Sequence, residues 1–174
     1  SRNRPGPFSA SDLATAAGKT LLSRSRFEGS ALDEVILGCA APSVDEVNIG
    51  RVAALRMGCG VKVPAWTVMR NCASGMQSID SAIANMLAGR SHLVLAGGVD
   101  ALSRAPLQYD DAMVNWFADM AAARGLAARL ANLARLPLRS VLSPVIGIMR
   151  GLTDPVCGLL MGQTAENLAH RFGI

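Results

Sequence analysis

Thr67-Val68-Met69-Arg70-Asn71-Cys72-Ala73-Ser74-Gly75-Met76-Gln77-Ser78 joins two kinds of local structure. Trp66, Thr67 and Val68 are strand formers. From Ser74 onward the apolar residues Met76, Ile79, Ile83, Met86 and Leu87 fall near one helical face, and Gly89 is placed to end the helix. Ser74 and Gln77 spell the S-x-x-Q capping box of a helix start. The stretch therefore predicts a strand, a turn that carries Cys72, and a helix over 74–88.

The same grammar extends outward. Upstream, Glu34 to Ala40 (EVILGCA) is a continuous apolar run, the mark of a strand buried on both faces. Val47 to Met57 predicts a helix closed by Gly58 and Gly60, and Ala10 to Arg24 predicts a first helix with Leu13, Ala16, Ala17, Thr20 and Leu21 as its inner face. Downstream, Leu93 to Val99 (LVLAGGV) predicts a strand broken by Gly97 and Gly98. Strands alternating with helices imply an α/β fold, layered α-β-α, with a mostly parallel sheet. After Pro106 the pattern changes. Residues 107–161 show no clear strand and predict an inserted helical loop region, and Gly162 to Arg171 (GQTAENLAHR) predicts a helix that returns to the core. The expected organisation is a core over 1–106, a helical loop region over 107–161 and a return helix over 162–174.

Composition narrows the classes. A chain of 174 residues that is 51% hydrophobic can bury a substantial core. No uncharged apolar stretch approaches the roughly 20 residues of a spanning helix, so a soluble protein is expected. Cys39, Cys59, Cys72 and Cys157 form no CxxC pair and no His/Cys zinc spacing, which predicts free thiols, a reducing compartment and no metal. The first 26 residues set Arg2, Arg4, Lys19, Arg24 and Arg26 against Asp12 alone, a composition shared by transit peptides and by a basic first helix. The chain opens on Ser, so the start of the gene product is expected upstream. Between Trp116 and Arg150, arginines 124, 129, 135, 139 and 150 face one acid, Asp119, while the rest of the chain is balanced. Such a field suits phosphates, an acidic membrane surface or a partner protein.

Cys72 differs from the other cysteines in its setting. At the start of a helix, unpaired backbone N–H groups and the macrodipole favour a thiolate, the species that attacks a thioester carbonyl. Ala73, Ser74 and Gly75 are small and leave room for a substrate. A cysteine packed at a tight turn fits these residues equally well. His92, at a strand start, and His170, on a helix, read as ordinary histidines rather than partners of Cys72.

N-C-A-S-G-M-Q-S closely resembles the nucleophile motif of thiolases, and A-G-G-V-D-A-L-S-R-A-P, G-L-T-D-P and M-G-Q-T-A-E-N-L-A resemble later thiolase segments in the same order. The resemblance runs from about Arg4 onward and is weakest over 107–150. It implies the thiolase-like layered fold, N-terminal half only, with Cys72 as the residue acylated by a CoA thioester. It also implies acyl transfer to and from an acetyl-CoA carbanion, and a loop domain that holds the pantetheine arm. Leu152 and Met161 would line that pocket, although core packing accounts for them equally well. Acyl-CoA and CoA are the implied ligands, with no cofactor beyond these substrates and no nucleic acid. A homo-oligomer, a fatty-acid oxidation partner subunit and peripheral membrane contact are the implied associations. The implied location is cytoplasmic, or the mitochondrial matrix in a eukaryote.

Three positions depart from the family pattern and leave substrate choice open: Leu160 where some biosynthetic thiolases have His, Met69 where Asn or Gln is common, and Asp100 where Glu is usual. The family's activating histidine and second cysteine lie in GHP-type and CxG-type motifs, and neither occurs in these residues. The isolated chain is therefore expected not to turn over. Two alternatives stand beside the acyltransferase reading: a ketosynthase-like condensing enzyme, and a non-catalytic truncated or structural subunit.

Overall fold

A computed structural model describes residues 6–174, so Arg2 and Arg4 of the basic N-terminal stretch lie outside the described residues. Contacts divide the chain into two units, one ending at Arg104 and one beginning at Ala105.

The first unit is built on three strands: β1 (Glu34–Gly38), β2 (Ala65–Val68) and β3 (Val94–Gly98). They form a parallel sheet in the order β2-β1-β3. Central β1 sets Leu37 against Thr67 on one side and Gly97 on the other, and Gly38 against Val68 and Gly98. Its apolar run is buried on both faces, as the sequence predicts for a central parallel strand. Val35, Leu37 and Cys39 point to one side and pack with Ile49, Ala53, Ala54 and Met57 of α2 (Ile49–Met57) and with Leu22 of α1 (Ala10–Ser25). By strand alternation Ile36 and Gly38 point to the other side, where Gly38 meets the first residues of α3 (Ser74–Leu87). The sheet is thus sandwiched, α1 and α2 on one face and α3 on the other. Removing each of Val35, Ile36 and Ile49 from water contributes roughly 1.5–3 kcal/mol.

The helices form where the periodicity predicts, but two of them turn a different face inward. On α1 the buried positions are Ala10, Ser11, Gly18 and Leu22, while Leu13 and Leu21, expected inside, are exposed. The cause is Gly18, whose missing side chain leaves room for Met57; any Cβ there would collide with the Met57 sulfur. Leu13, Ala17 and Leu21 instead border a groove of about 170 Å³ shared with Leu37 and Leu95 through Val99. On α3 the residues against the sheet are Ser74, Ser78 and Ala82, and the stripe of Met76, Ile79, Ile83 and Met86 is exposed. Close packing at the glycine-rich strand ends selects small residues and turns the large ones outward.

The second unit contains α4 (Asp111–Ala122), α5 (Leu126–Leu133), α6 (Leu138–Leu142), α7 (Gly147–Gly151) and α8 (Met161–Phe172). Residues 107–161 were expected to hold no clear strand, yet β4 (Leu107–Gln108) and β5 (Val145–Ile146) pair antiparallel here. Two residues per strand are too few to show an alternating pattern in sequence. Asp110 caps α4 by accepting the Met113 N–H at 3.1 Å, and it also accepts the Ser140 hydroxyl at 2.7 Å. The α4–α5 pair closes through Asn132, which accepts the Trp116 indole N–H at 2.8 Å and donates to the Asp119 carbonyl at 3.0 Å. Among the described residues no helix is long and apolar enough to cross a membrane.

Candidate active site at Cys72

Parallel strands all end at the same edge of a sheet, and Cys72 stands there, between the end of β2 and the start of α3. The turn is tight. Asn71 adopts φ 48°, a left-handed conformation that Asn tolerates better than most residues. The Ala73 N–H donates to the Arg70 carbonyl at 3.0 Å and the Ser74 N–H to the Asn71 carbonyl at 3.1 Å. The resulting kink lifts the Cys72 thiol into solvent.

The expected capping box does not form. Ala73 is the N-cap residue and Ser74 already belongs to the helix. The Ser74 hydroxyl is committed to the turn instead, donating to the Asn71 carbonyl at 2.6 Å and accepting the Arg70 N–H at 2.8 Å. Gln77 accepts from the Arg70 guanidinium at 2.7 Å and donates to Asp80 at 2.9 Å. With no side-chain cap, the N–H groups of Gly75 and Met76 find no acceptor among the described residues. Free donors in the first helical turn directly after Cys72 are a place where negative charge is favoured.

Three glycines hold this turn against the sheet. A Cβ on Gly98 would stand 2.9 Å from the Cα of Gly75, and one on Gly38 would overlap the Ser74 carbonyl group. The fully buried Ser78 hydroxyl lies 2.7 Å from the carbonyl oxygens of Gly75 and Gly97, fastening α3 to β3. Asp100 closes the neighbouring strand end by accepting the N–H groups of Ala40 at 3.0 Å and Ala41 at 2.8 Å, with the Cys39 sulfur 3.3 Å away. Asn71, Gly38 and Ser78 were not singled out as site-building residues from sequence, and Asp100 was singled out only as a departure from the family's usual Glu. For Asn71 a signal was present, a residue suited to positive φ just before the cysteine.

The cysteines separate by environment. Burial, then the hydrogen bond to Asp100, pushes the Cys39 thiol up to about 12 from its ordinary 9.0. Burial also pushes Cys59 up. These two are inert packing residues, whereas Cys72 and Cys157 are exposed. Beside the Cys72 turn, Arg70, Ala73, Met76, Gln77, Ile79, Asp80 and Ile83 line an open groove of about 300 Å³.

His92 does not join the site. His92 precedes β3, at the strand-start edge opposite Cys72, and its backbone N–H donates to Asp33 at 2.7 Å. His170 is exposed in the last turn of α8, in the second unit. Leu152 and Met161 are brought together: the Met161 N–H donates to the Leu152 carbonyl at 3.1 Å, next to a bridge between Thr153 and Leu160. Both side chains are partly exposed, at 41% and 55%. Asp154 supports that turn by accepting the Val156 and Cys157 N–H groups, which hold its carboxyl below the usual range. Among the described residues no cluster of His, Cys, Asp and Glu is placed to hold a metal.

Comparison with known proteins fits this arrangement. The family described as thiolase, N-terminal domain, matches residues 6–174. A 3-ketoacyl-CoA thiolase of Yersinia pestis is 31% identical over 165 residues, which cover 95% of this chain and 37% of that protein. The crystal structure of the Bacillus anthracis acetyl-CoA acetyltransferase superimposes with a TM-score of 0.76 at 31% identity, over 97% of this chain and 37% of the other. Human mitochondrial 3-ketoacyl-CoA thiolase, solved in complex with CoA, gives 0.75 at 28% identity over 97% and 38%. The chain spans somewhat more than a third of the length of these relatives. A family match along almost the whole chain, with the same fold in solved relatives, means that this protein belongs to the thiolase family and carries its N-terminal domain.

Proposed function

We propose that this chain is the acyl-accepting part of a thiolase, with Cys72 as the nucleophile. The observation that carries the proposal is the exposed Cys72 thiol on a left-handed turn at the strand-end edge, followed by unpaired first-turn N–H groups. In the reaction the Cys72 sulfur attacks the carbonyl carbon of an acyl-CoA. A new carbon–sulfur bond forms, the bond to CoA breaks, and CoA leaves as its thiolate. In condensation the acyl group then passes to the α-carbon of a second thioester, acetyl-CoA, which has lost a proton, and the Cys72 sulfur is released. In cleavage the Cys72 sulfur instead attacks the C3 carbonyl of a 3-ketoacyl-CoA, and the C2–C3 bond breaks. Acetyl-CoA leaves as a carbanion that takes up a proton, and the acyl group passes from Cys72 to the sulfur of CoA. No cofactor beyond the CoA thioesters enters. Leu152 and Met161 line the acyl and pantetheine path, a role that rests on the family resemblance of their two motifs.

Turnover requires a base and a second proton carrier, which the family supplies from its later motifs. Without them proton transfer forfeits about 10²–10⁴ in rate. The 174-residue chain alone is therefore proposed to accept acyl groups slowly and not to cycle. The exposed stripe of Met76, Ile79, Ile83 and Met86 supports the same view, because a face of that kind is built to be covered. It also favours a second reading, in which the chain acts as a structural partner of a complete thiolase.

The test is intact-mass analysis of the chain after hours with acetyl-CoA or acetoacetyl-CoA, alongside steady-state release of CoA. Acylation at Cys72, absent in Cys72→Ala, with no sustained CoA release is the expected result. A Cys72 that alkylates readily yet never carries an acyl group overturns the nucleophile assignment. Sustained turnover overturns the proposed dependence on later motifs.

A further inference from the structure

The local pattern assigns Ser74 to capping α3, and the structure uses it elsewhere. Ser74 is buried, and its hydroxyl is engaged on both sides of Asn71: it accepts the Arg70 N–H at 2.8 Å and donates to the Asn71 carbonyl at 2.6 Å. The Ser74 N–H adds a third bond, to the same Asn71 carbonyl, at 3.1 Å. That carbonyl belongs to the peptide joining Asn71 to Cys72. Asn71 has φ 48°, a conformation that is costly for a residue with a side chain unless its surroundings impose it. Here the Ser74 hydroxyl imposes it, because it grips the chain before and after Asn71. Ser74 itself cannot retreat: it is seated on the end of β1, where a Cβ on Gly38 would overlap its carbonyl group. The sheet therefore sets Ser74, Ser74 sets the turn, and the turn sets how the Cys72 side chain is directed.

A serine serving helix stability alone would stand at the N-cap and bond to first-turn N–H groups. Here the side-chain cap is forgone, at the helix that follows an exposed thiol. Departures from local preference of this kind mark functional positions. Ser74 makes no hydrogen bond to the Cys72 sulfur among the described residues, so its action runs through the turn. We propose that Ser74 is the positioning residue of the Cys72 nucleophile, its hydroxyl holding the left-handed turn that presents the thiol to an electrophilic carbonyl. This rests on the acyl-accepting reading of Cys72 and deepens it, from the nucleophile to the group that aims it.

The experiment times iodoacetamide labelling of the complete chain, mapped by mass spectrometry. Cys157, exposed in the second unit, gives a reference rate in the same tube, and the buried Cys39 and Cys59 report any unfolding. Acylation by acetyl-CoA is followed in parallel by intact mass. Ser74→Ala should lower the Cys72 rate relative to Cys157 by about three- to tenfold, the factor that losing the net contribution of one hydrogen bond allows. Cys39 and Cys59 should stay protected, and acylation should slow at least as much. Ser74→Thr keeps the hydroxyl and should restore the ratio. Asn85→Ala removes the 2.7 Å bond from the far end of α3 to Glu34, and should loosen the helix without moving the ratio. Hydrogen exchange of the wild-type chain reads the Ser74 bond directly, even if Ser74→Ala does not fold: the Arg70 amide should be protected. A Cys72 ratio unmoved in Ser74→Ala, or moved as much in Asn85→Ala, overturns the proposal. So does a Ser74→Thr variant no better than Ser74→Ala, or an Arg70 amide that exchanges as fast as those of Gly75 and Met76. If the ratio responds as expected while the wild-type chain takes up no acyl group, the acyl-accepting reading fails and the positioning role stands.

Discussion

Gly98 and Gly75 approach so closely that a Cβ on Gly98 would stand 2.9 Å from the Gly75 Cα. The contact ties the end of β3 to the first turn of α3, which begins two residues after Cys72, so the candidate site depends on the absence of two side chains. The colliding atoms are backbone and cannot rotate away. Gly98→Ala should lower stability by about 1–3 kcal/mol, as overpacking does, read as a fall in the urea midpoint. Gly151→Ala is the control: apart from its chain neighbours and its own helix backbone, no atom lies within 4 Å of its Cβ position, and its stability should change little.

Thiol reactivity should divide the four cysteines. Cys72 and Cys157 are exposed, while Cys39 and Cys59 are buried and have raised pKa values. Under native conditions near neutral pH, iodoacetamide should modify the first pair and spare the second; in denaturant all four should react. Peptide mapping by mass spectrometry reads the result, and native labelling of Cys39 would contradict the packing described.

Cys39 also gives the protein a pH-dependent component of stability. Its thiol holds its proton more tightly in the folded state, at about 12, than the ordinary 9.0. Its contribution is complete below pH 9 and is lost progressively as pH rises from there through 12, because the unfolded chain deprotonates first. A Cys39→Ala variant lacks this titration. Its stability should fall less steeply than wild type over that window, measured by denaturant titration at successive pH values.

Asp100 accepts two backbone N–H groups, from Ala40 and Ala41, at the end of β1. Asp100→Ala strands both donors and should cost about 1.5–3 kcal/mol, the range for hydrogen bonds to a charged group. Hydrogen exchange should localise the loss, with the amides of Ala40 and Ala41 exchanging faster. Asp100→Asn keeps one acceptor oxygen and should fall between the two.

Much of this was legible in the chain itself. The apolar run 34–40 became the central strand because a stretch buried on both faces can sit nowhere else in a parallel sheet. The helices over 10–25, 49–57 and 74–87 follow the periodicity closely. What periodicity could not say is which face points inward. On α1 and α3 that choice went to small residues, Gly18 and Ser78, because the partner surfaces, Met57 and the strand-end glycines, come too close for larger ones. The short β4–β5 pair was equally hidden, since two residues per strand leave no alternation to read.

The sequence by itself determined the α/β grammar, the ordered thiolase motifs, the cysteine at a strand-to-helix junction and the clustering of positive charge, all of which are local in the chain. Only the tertiary structure decided how that cysteine is presented. The left-handed Asn71 and the diversion of the Ser74 hydroxyl from helix cap to turn are local to 70–74. The turn, however, is seated by the close approach of Gly38 to Ser74 and of Gly98 to Gly75, and Ala40 and Ala41 are clamped by Asp100, about sixty residues away. A local pattern fixes what each segment can form; the close approach of backbones fixes which of its groups remain free to react.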